Sequence, residues 1–316
     1  MEQEHYLNDP WLLAAWPGMG SVAISANYYL MAKLGMHLVA EYPAREFFEL
    51  ERVEVRDGLI LTGRLPRSRL FLWHDPLRRH DLIVFVGDAQ PPLKGSEFCS
   101  QLVGHARRLG VRRVFTFAAM ATQMRPEHGS RVFGAVIDRE SLADFKRLKI
   151  EMLTQGHISG LNGVLLGIAA NQGMRGGCLL GEMPQVFSQL PFPKASLAVL
   201  ETFTTLAGIN MDFNELREQA RNVDKGLEDF LKHLERASNL GETSARPSVE
   251  PVAEAVETTR IETATRLSVR DRQHLDELFE IANKDRSRAY ELKRELDRLK
   301  VFHENEDRFL DLFKEP

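Results

Sequence analysis

The chain has 316 residues, 43 % of them apolar, with 41 basic and 45 acidic side chains and a formal net charge of -4. That composition supports one large or two smaller globular domains, and its charge argues against a general nucleic-acid binder, which carries a basic excess. Two distant cysteines (Cys99, Cys178) give no disulfide framework or zinc spacing, the start MEQEHYLNDP does not suit a signal peptide, and no apolar run reaches the roughly 18–20 residues of a membrane span, so a soluble cytoplasmic protein without membrane contact is expected.

The first elements lie in WLLAAWPGMGSVAISANYYLMAKL, residues 11–34. An apolar strand (Trp11 to Trp16) meets Pro17-Gly18, then Gly20, and Ser21 is placed to cap a helix from about Val22. Without a Cβ, Gly18 and Gly20 allow close backbone approach, and the helix start offers amides that attract anions weakly. His37–Tyr42 reads as a strand. Arg52–Val55 and Leu59–Thr62 flank Arg56-Asp57-Gly58, a hairpin signal, with Leu70–Trp73 expected alongside. Leu82–Val86 is a continuous apolar run, as in a buried central strand. A helix over 96–109, strands over 111–118 and 132–137 and a helix over 139–148 follow, with a polar loop at 118–129 holding Gln123, Arg125, Glu127 and His128.

A second glycine-rich stretch, Gly156-His157-Ile158-Ser159-Gly160-Leu161-Asn162-Gly163, leads into a helix over 164–171. The strand Cys178–Pro184 carries Glu182, and Pro193 opens a helix to about Leu206 with Lys194 expected in solvent. Residues 213–236 form an amphipathic helix, with Leu216, Ala220, Val223, Leu227, Leu231 and Leu234 at helical spacing. Ser238–Ser268 has no aromatic residue and reads as a flexible linker. Residues 269–316 are charged and helical, with an imperfect heptad: Leu275, Ala282, Ala289, Leu296 and Leu310 in one series, Leu278, Leu292, Leu299 and Phe313 in the other. This coiled-coil-like tail either folds onto the core or self-associates, and its removal from Ser238 is expected to leave a folded core. Alternating strands and helices predict an α/β, three-layer domain over 1–237 with a mostly parallel mixed sheet, followed by linker and helical extension.

No complete catalytic constellation is present. Gly18-Met19-Gly20-Ser21-Val22-Ala23 with Glu41 resembles a dinucleotide fingerprint only superficially, since Pro17 sits in the corner and no hydride-transfer pair follows. Gly-x-Ser-x-Gly, a phosphate-binding Gly-Lys-Ser/Thr and His-x-x-x-His are all missing. No cofactor and no metal are expected. Polar residues at strand ends remain, and in open α/β sheets ligands dock there. The candidate rim for a ligand or partner comprises Trp16, Gly18, Met19 and Gly20 at the first corner, Asp88 and Gln90 after the central strand, Ser159, Gly160 and Asn162 in the second glycine loop, and Glu182.

Several phrases agree, in order, with one family: Trp16-Pro17-Gly18-Met19-Gly20; Asp81-Leu82-Ile83-Val84-Phe85 with Gly87-Asp88-Ala89-Gln90-Pro91; residues 156–163; Cys178-Leu179-Leu180-Gly181-Glu182-Met183-Pro184; and Pro193-Lys194-Ala195. Over residues 8–236 the chain resembles a prokaryotic member of the proteasome assembly chaperone 2 family. The resemblance implies a nucleoside phosphorylase-like three-layer fold, self-association often as trimers, and a role in protein assembly. It also implies docking through a C-terminal hydrophobic-tyrosine-any tripeptide in members that bind the proteasome core; Lys314-Glu315-Pro316 does not match it. The leading expectation is a non-enzymatic interaction protein that binds itself and another protein. The alternative is a protein or enzyme that binds a nucleoside- or nucleotide-like ligand in a strand-end pocket.

Overall fold

The computed structural model describes residues 7–42, 45–50, 53–56, 58–240 and 267–314. The apolar runs become strands β1 (Trp11–Ala15), β2 (His37–Glu41), β3 (Glu54–Arg56), β4 (Leu59–Leu61), β5 (Ser68–Trp73), β6 (Leu82–Gly87), β7 (Arg113–Thr122), β8 (Val132–Val136), β9 (Glu151–Met152) and β10 (Arg175–Pro184). The helices between them are α1 (Val22–Leu34), α2 (Gly95–Arg108), α3 (Arg139–Arg147), α4 (Leu161–Asn171), α5 (Pro193–Ala207) and α6 (Asn214–Leu240). Eight strands form one sheet in the order β2-β5-β6-β1-β7-β10-β8-β9. Strands β6, β1, β7 and β10 run parallel, so their carboxyl ends share one edge. Being covered on both faces, β1 and β6 are buried throughout, which explains their unbroken apolar sequence.

Helices α2 and α4 cover one face, where Phe98, Leu102, Leu161 and Leu165 meet Leu12, Phe85 and Leu180. Helices α1 and α5 cover the other, where Leu30, Val199 and Phe203 meet Val84, Phe115 and Leu179. This is the expected mixed, mostly parallel α/β sandwich with a helical extension. Leu70–Trp73 departs from expectation: β5 pairs antiparallel with β2 and β6, not with the hairpin. The hairpin β3–β4 is a separate two-stranded sheet in which exposed Val55 faces exposed Ile60; its turn residue Asp57 lies outside the described residues. The short edge strand β9, too brief to show a period, was not expected from the sequence. Helix α6 runs to Leu240, past the proposed linker start at Ser238; residues 241–266 lie outside the described part.

Residues 269–313 form three helices, α7 (Val269–Lys284), α8 (Ala289–Arg298) and α9 (Phe302–Asp311), separated at Asp285 and at Lys300, whose φ is 59°. They fold onto the core. The heptad residues Leu275, Leu278, Ala282, Ala289, Leu292, Leu296, Leu310 and Phe313 are buried in the same cluster as α1. Tyr29 packs edge-on to Tyr290 at 4.6 Å, and Phe71 of β5 packs edge-on to Phe313 at 5.8 Å. The Leu38 amide on edge strand β2 donates to the Phe313 carbonyl at 2.6 Å. Helix α1 is consequently buried almost all round: Tyr28, Tyr29, Leu30, Met31 and Ala32 are consecutive and all covered. A helix apolar on every side needs an outer layer, and here the tail supplies it. Of the two arrangements expected for the tail, packing onto the core is the one the structure shows.

Candidate partner-binding rim

Because β6, β1 and the α4 start reach the same edge, the two glycine corners become neighbours. The Gln90 side chain joins them: its amide donates to the Pro17 carbonyl at 3.2 Å, and its carbonyl accepts from the Leu161 amide at 3.0 Å. Gly160 makes room for this clamp. Its φ is +71°, and a Cβ there would stand 2.8 Å from Gln90 Oε1. Gly20 serves the first corner likewise, with φ +61° and a would-be Cβ 2.6 Å from Met183 Sδ. Gly18, by contrast, is extended and open, with no other part of the fold drawn against it.

The anion attraction expected at the first corner is met from within the fold. The Gly20 amide donates to Ser188 O at 3.0 Å and the Ser21 amide to Gly18 O at 3.0 Å. Ser21 occupies the cap position in left-handed backbone, φ 51°, and its hydroxyl makes no cap bond.

Of the ten candidate residues, Gly18, Met19, Ser159 and Gly160 face outward, and Asp88 and Gln90 are half-buried. Trp16 is a core residue, packed on Phe85 at 5.1 Å, because directly after β1 it keeps the phase of Leu12 and Ala14 and falls on the side covered by Phe98 of α2. Asn162 is buried, with its backbone carbonyl accepting from Thr116 Oγ1 at 3.2 Å. Glu182 is buried and fully engaged. Arg131 donates to it at 2.8 and 2.7 Å and Thr122 at 2.7 Å. The Arg131 hydrogen bonds hold its carboxyl below the ordinary range, despite burial.

Asp88 belongs to a different network. It accepts from the Arg67 amide and from Arg69 Nη1, both at 2.9 Å. Burial pushes its pKa up, against the pull of Arg69. Arg69 is 0 % exposed and also donates to Asp307 of α9. Lys194, expected in solvent, is instead drawn inward: it donates to the His128 carbonyl at 2.9 Å and pairs with Asp224 at 2.8 Å, also contacting Pro126 O. It thereby ties α5 and α6 to the polar loop.

The sequence reading missed Arg69, Arg131 and Asp307, each of which answers a carboxylate or arginine far away in the chain. It also missed Val186 and Leu190, two exposed apolar residues in the loop after β10. Backbone bonds from Gly20 N to Ser188 O and from Phe192 N to Gly20 O, 3.0 and 2.9 Å, set this loop against the first corner, where Met19 is 45 % exposed. The rim's outward surface thus combines apolar side chains with backbone. A separate cleft of about 360 Å³ lies beside α4, lined by Ala135, Leu153, Ile158, Gly163, Leu166 and Gly167 among others; none of the ten candidates lines it. Among the described residues no group of three or more His, Cys, Asp or Glu could hold a metal, and no helix is long and apolar enough to cross a membrane.

Comparison with known proteins agrees with this architecture. An uncharacterised protein of Methanocaldococcus jannaschii, MJ1210, is 27 % identical over 255 residues, covering 77 % of this chain and 91 % of that one. Pyrococcus furiosus PbaB, described as an archaeal proteasome activator, is 26 % identical with a TM-score of 0.59, covering 72 % of this chain and 94 % of that one. The Mycobacterium tuberculosis proteasome-assembly chaperone homologue Rv2125 shares the fold, with 18 % identity, a TM-score of 0.60 and coverage of 70 % and 94 %. The PAC2 family profile matches residues 12–231, which span the sheet, the Gln90 clamp and helices α1 to α5. The chain belongs to the PAC2 family.

Proposed function

We propose that this chain is a non-enzymatic interaction protein of the cytoplasm that associates with itself, as a trimer, and assists or regulates the assembly of a larger protein complex, with a proteasome core as the first partner to test. The observation that carries the reading is the 26 % identity to the archaeal proteasome activator PbaB over 94 % of that protein. The rim supports it: Glu182, Asp88, Gln90 and Lys194 are occupied by internal partners, while Met19, Val186 and Leu190 face outward. Apolar side chains over a backbone-rich corner suit protein contact better than proton transfer.

The test is to incubate the purified chain with purified proteasome core particles, then follow comigration by gel filtration and peptide hydrolysis. Comigration that Met19→Asp or Val186→Asp abolishes is expected. Absence of any complex, with a monomeric mass by light scattering, rejects the proposal.

The cleft beside α4 favours a second reading, a small-ligand binder for a nucleoside-like molecule, since its volume falls within the range of ligand sites. A thermal-shift screen with nucleosides, nucleotides and phosphate decides it. A ligand at a hundred times its dissociation constant adds about 2.7 kcal/mol to stability, and no shift with any of them eliminates this reading.

A further inference from the structure

The sheet ends unevenly on its β9 side. Strand β9 pairs Glu151 with Phe133 and Met152 with Gly134, and the Leu153 amide then donates to the Gly134 carbonyl at 2.9 Å. Past that bond the chain leaves the sheet, while β8 runs on to Val136. In an antiparallel pair, successive residues direct their backbone groups to opposite sides. The Ile137 amide donates to the Gly176 carbonyl of β10 at 3.0 Å, so the N–H and C=O of Val136 point the other way, out of the sheet's edge. No described residue pairs with Val136 on that side.

This piece of edge is one wall of the cleft of about 360 Å³ beside α4. The chain after β9, with Leu153 and Ile158, forms another, and α4 closes the third side with Gly163, Leu166 and Gly167. Ile137, Leu153, Ile158 and Leu166 belong to or pack against the core on the α4 face, so the cleft continues that core outward past β8. The two glycines serve different ends. A Cβ at Gly163 would stand 2.1 Å from the Ile158 carbonyl oxygen, so this glycine lets the loop lie on the helix. A Cβ at Gly167 would meet nothing within 4 Å. Glycine inside a helix is less favourable than alanine, and no packing within the chain accounts for Gly167; its effect is to keep the cleft bare.

The lining selects an occupant by charge and by hydrogen bonding. Its polar side chains, Thr154 and Gln155, are uncharged, and no charged or aromatic side chain joins them. A phosphate finds no cation there and a nucleobase no ring to stack on, while a charged group would lose its water without gaining a partner. What the walls present is aliphatic surface beside one backbone donor and one backbone acceptor. Another peptide in extended form matches that pair. A residue set antiparallel to Val136 exchanges both bonds with it, and the side chains on either side of that residue fall on the α4 face, toward Leu153, Ile158 and Leu166.

We propose that the cleft binds an extended, uncharged segment of a partner protein, with aliphatic side chains on the α4 face, which adds to the sheet beside β8 where β9 leaves it open. This rests on the reading of the chain as an interaction protein and gives it a contact separate from the rim of Met19 and Val186.

The test uses the full-length chain and a pool of short capped peptides drawn from Val, Leu, Thr and Ser, followed by amide exchange and by fluorescence polarisation of the labelled pool. The pool is expected to slow exchange of the Val136 amide. The same pool methylated on its backbone nitrogens is expected to have no effect, because it lacks the N–H that reaches the Val136 carbonyl. Gly167→Leu fills the cleft from an open helical position and is expected to weaken binding roughly tenfold or more, with the melting temperature kept. Val136→Pro removes the outward N–H and no bond to β10, a change edge strands tolerate, and is expected to weaken binding likewise; where it unfolds, Gly167→Leu decides. An unprotected Val136 amide at millimolar pool overturns the proposal, as does equal binding by Gly167→Leu or by the methylated pool. Protection by adenosine or uridine, with none by the pool, overturns it in favour of the nucleoside reading. Pool binding by a chain that forms no complex with proteasome core particles removes the partner named above and leaves this site standing. A core complex that Met19→Asp abolishes, with no peptide bound, does the reverse.

Discussion

Asp88 and Glu182 both stand at the carboxyl edge of the parallel strands, and both are neutralised by arginine, yet the two anchors hold different things. Glu182 meets Arg131 from the neighbouring loop, and that guanidinium is 57 % exposed, so the pair secures the sheet's own rim. Asp88 meets Arg69, which is buried and passes on to Asp307, so this pair secures one part of the molecule to another. A carboxylate at the carboxyl end of a strand thus marks a junction in both places, and burial of its partner decides how much structure depends on it.

The largest expected effect breaks the second anchor completely. Ending the chain after Leu240 uncovers Tyr28, Tyr29 and Phe71 together with Arg69, and such a chain is expected to lose its cooperative melt by circular dichroism and to aggregate in gel filtration. A soluble core with an unchanged melt would sink the view that the tail is part of the fold. Next comes Arg69→Met, which leaves Asp88 without its guanidinium and Asp307 held by Arg64 and Arg67 alone; unfolding in urea is expected to show a loss of about 3–5 kcal/mol. Glu182→Gln touches the more exposed anchor and is expected to cost about 1–2 kcal/mol in the same measurement. Gln90→Ala cuts the clamp between the glycine corners, with two hydrogen bonds lost at a half-exposed site, and is expected to cost about 1 kcal/mol.

Acid sharpens the contrast. The carboxyls of Glu182 and Asp307 lie below their ordinary values. For Glu182 the Arg131 hydrogen bonds are the leading cause; for Asp307 burial raises the value, but the charges of Arg69 and Arg67 with the hydrogen bonds from Arg64 and Arg69 bring it down. Depressed carboxyls contribute stability that is complete above the unfolded values of about 3.9–4.3 and lost as pH falls through the folded ones. Asp88 is raised by burial and works in the opposite sense, since its protonation on acidification relieves a penalty. The stability gap between wild type and Glu182→Gln is therefore expected to close as the pH of urea titrations falls below about 4. The gap for Arg69→Met, where Asp88 and Asp307 respond oppositely, is expected to close less sharply.

Local pattern carried most of the fold. The apolar runs at 11–16 and 82–86 identified two strands, the second as a buried central one, and Gly20 and Gly160 marked corners whose left-handed backbone and tight surroundings suit glycine. That the corners meet follows from parallel strands sharing an edge, although the residue that joins them, Gln90, looked no different from any loop amide. The heptad in the tail was legible as an apolar stripe but not as to what it faces, because intramolecular and intermolecular burial demand the same spacing. The unused clue was α1, whose consecutive Tyr28 to Ala32 require covering on the side away from the sheet. Long-range ion pairs such as Arg69 to Asp307 leave no trace in local spacing, and the same holds for the pairing that draws half-buried Lys194 to Asp224.

The hydrogen bond from the Leu38 amide to the Phe313 carbonyl has an effect beyond packing. Strand β2 is the sheet's outermost member on its side, and an open outermost strand invites further strands from other molecules. The Phe313 carbonyl occupies one amide of that border, so the same segment that completes the hydrophobic interior also narrows the edge open to a further strand.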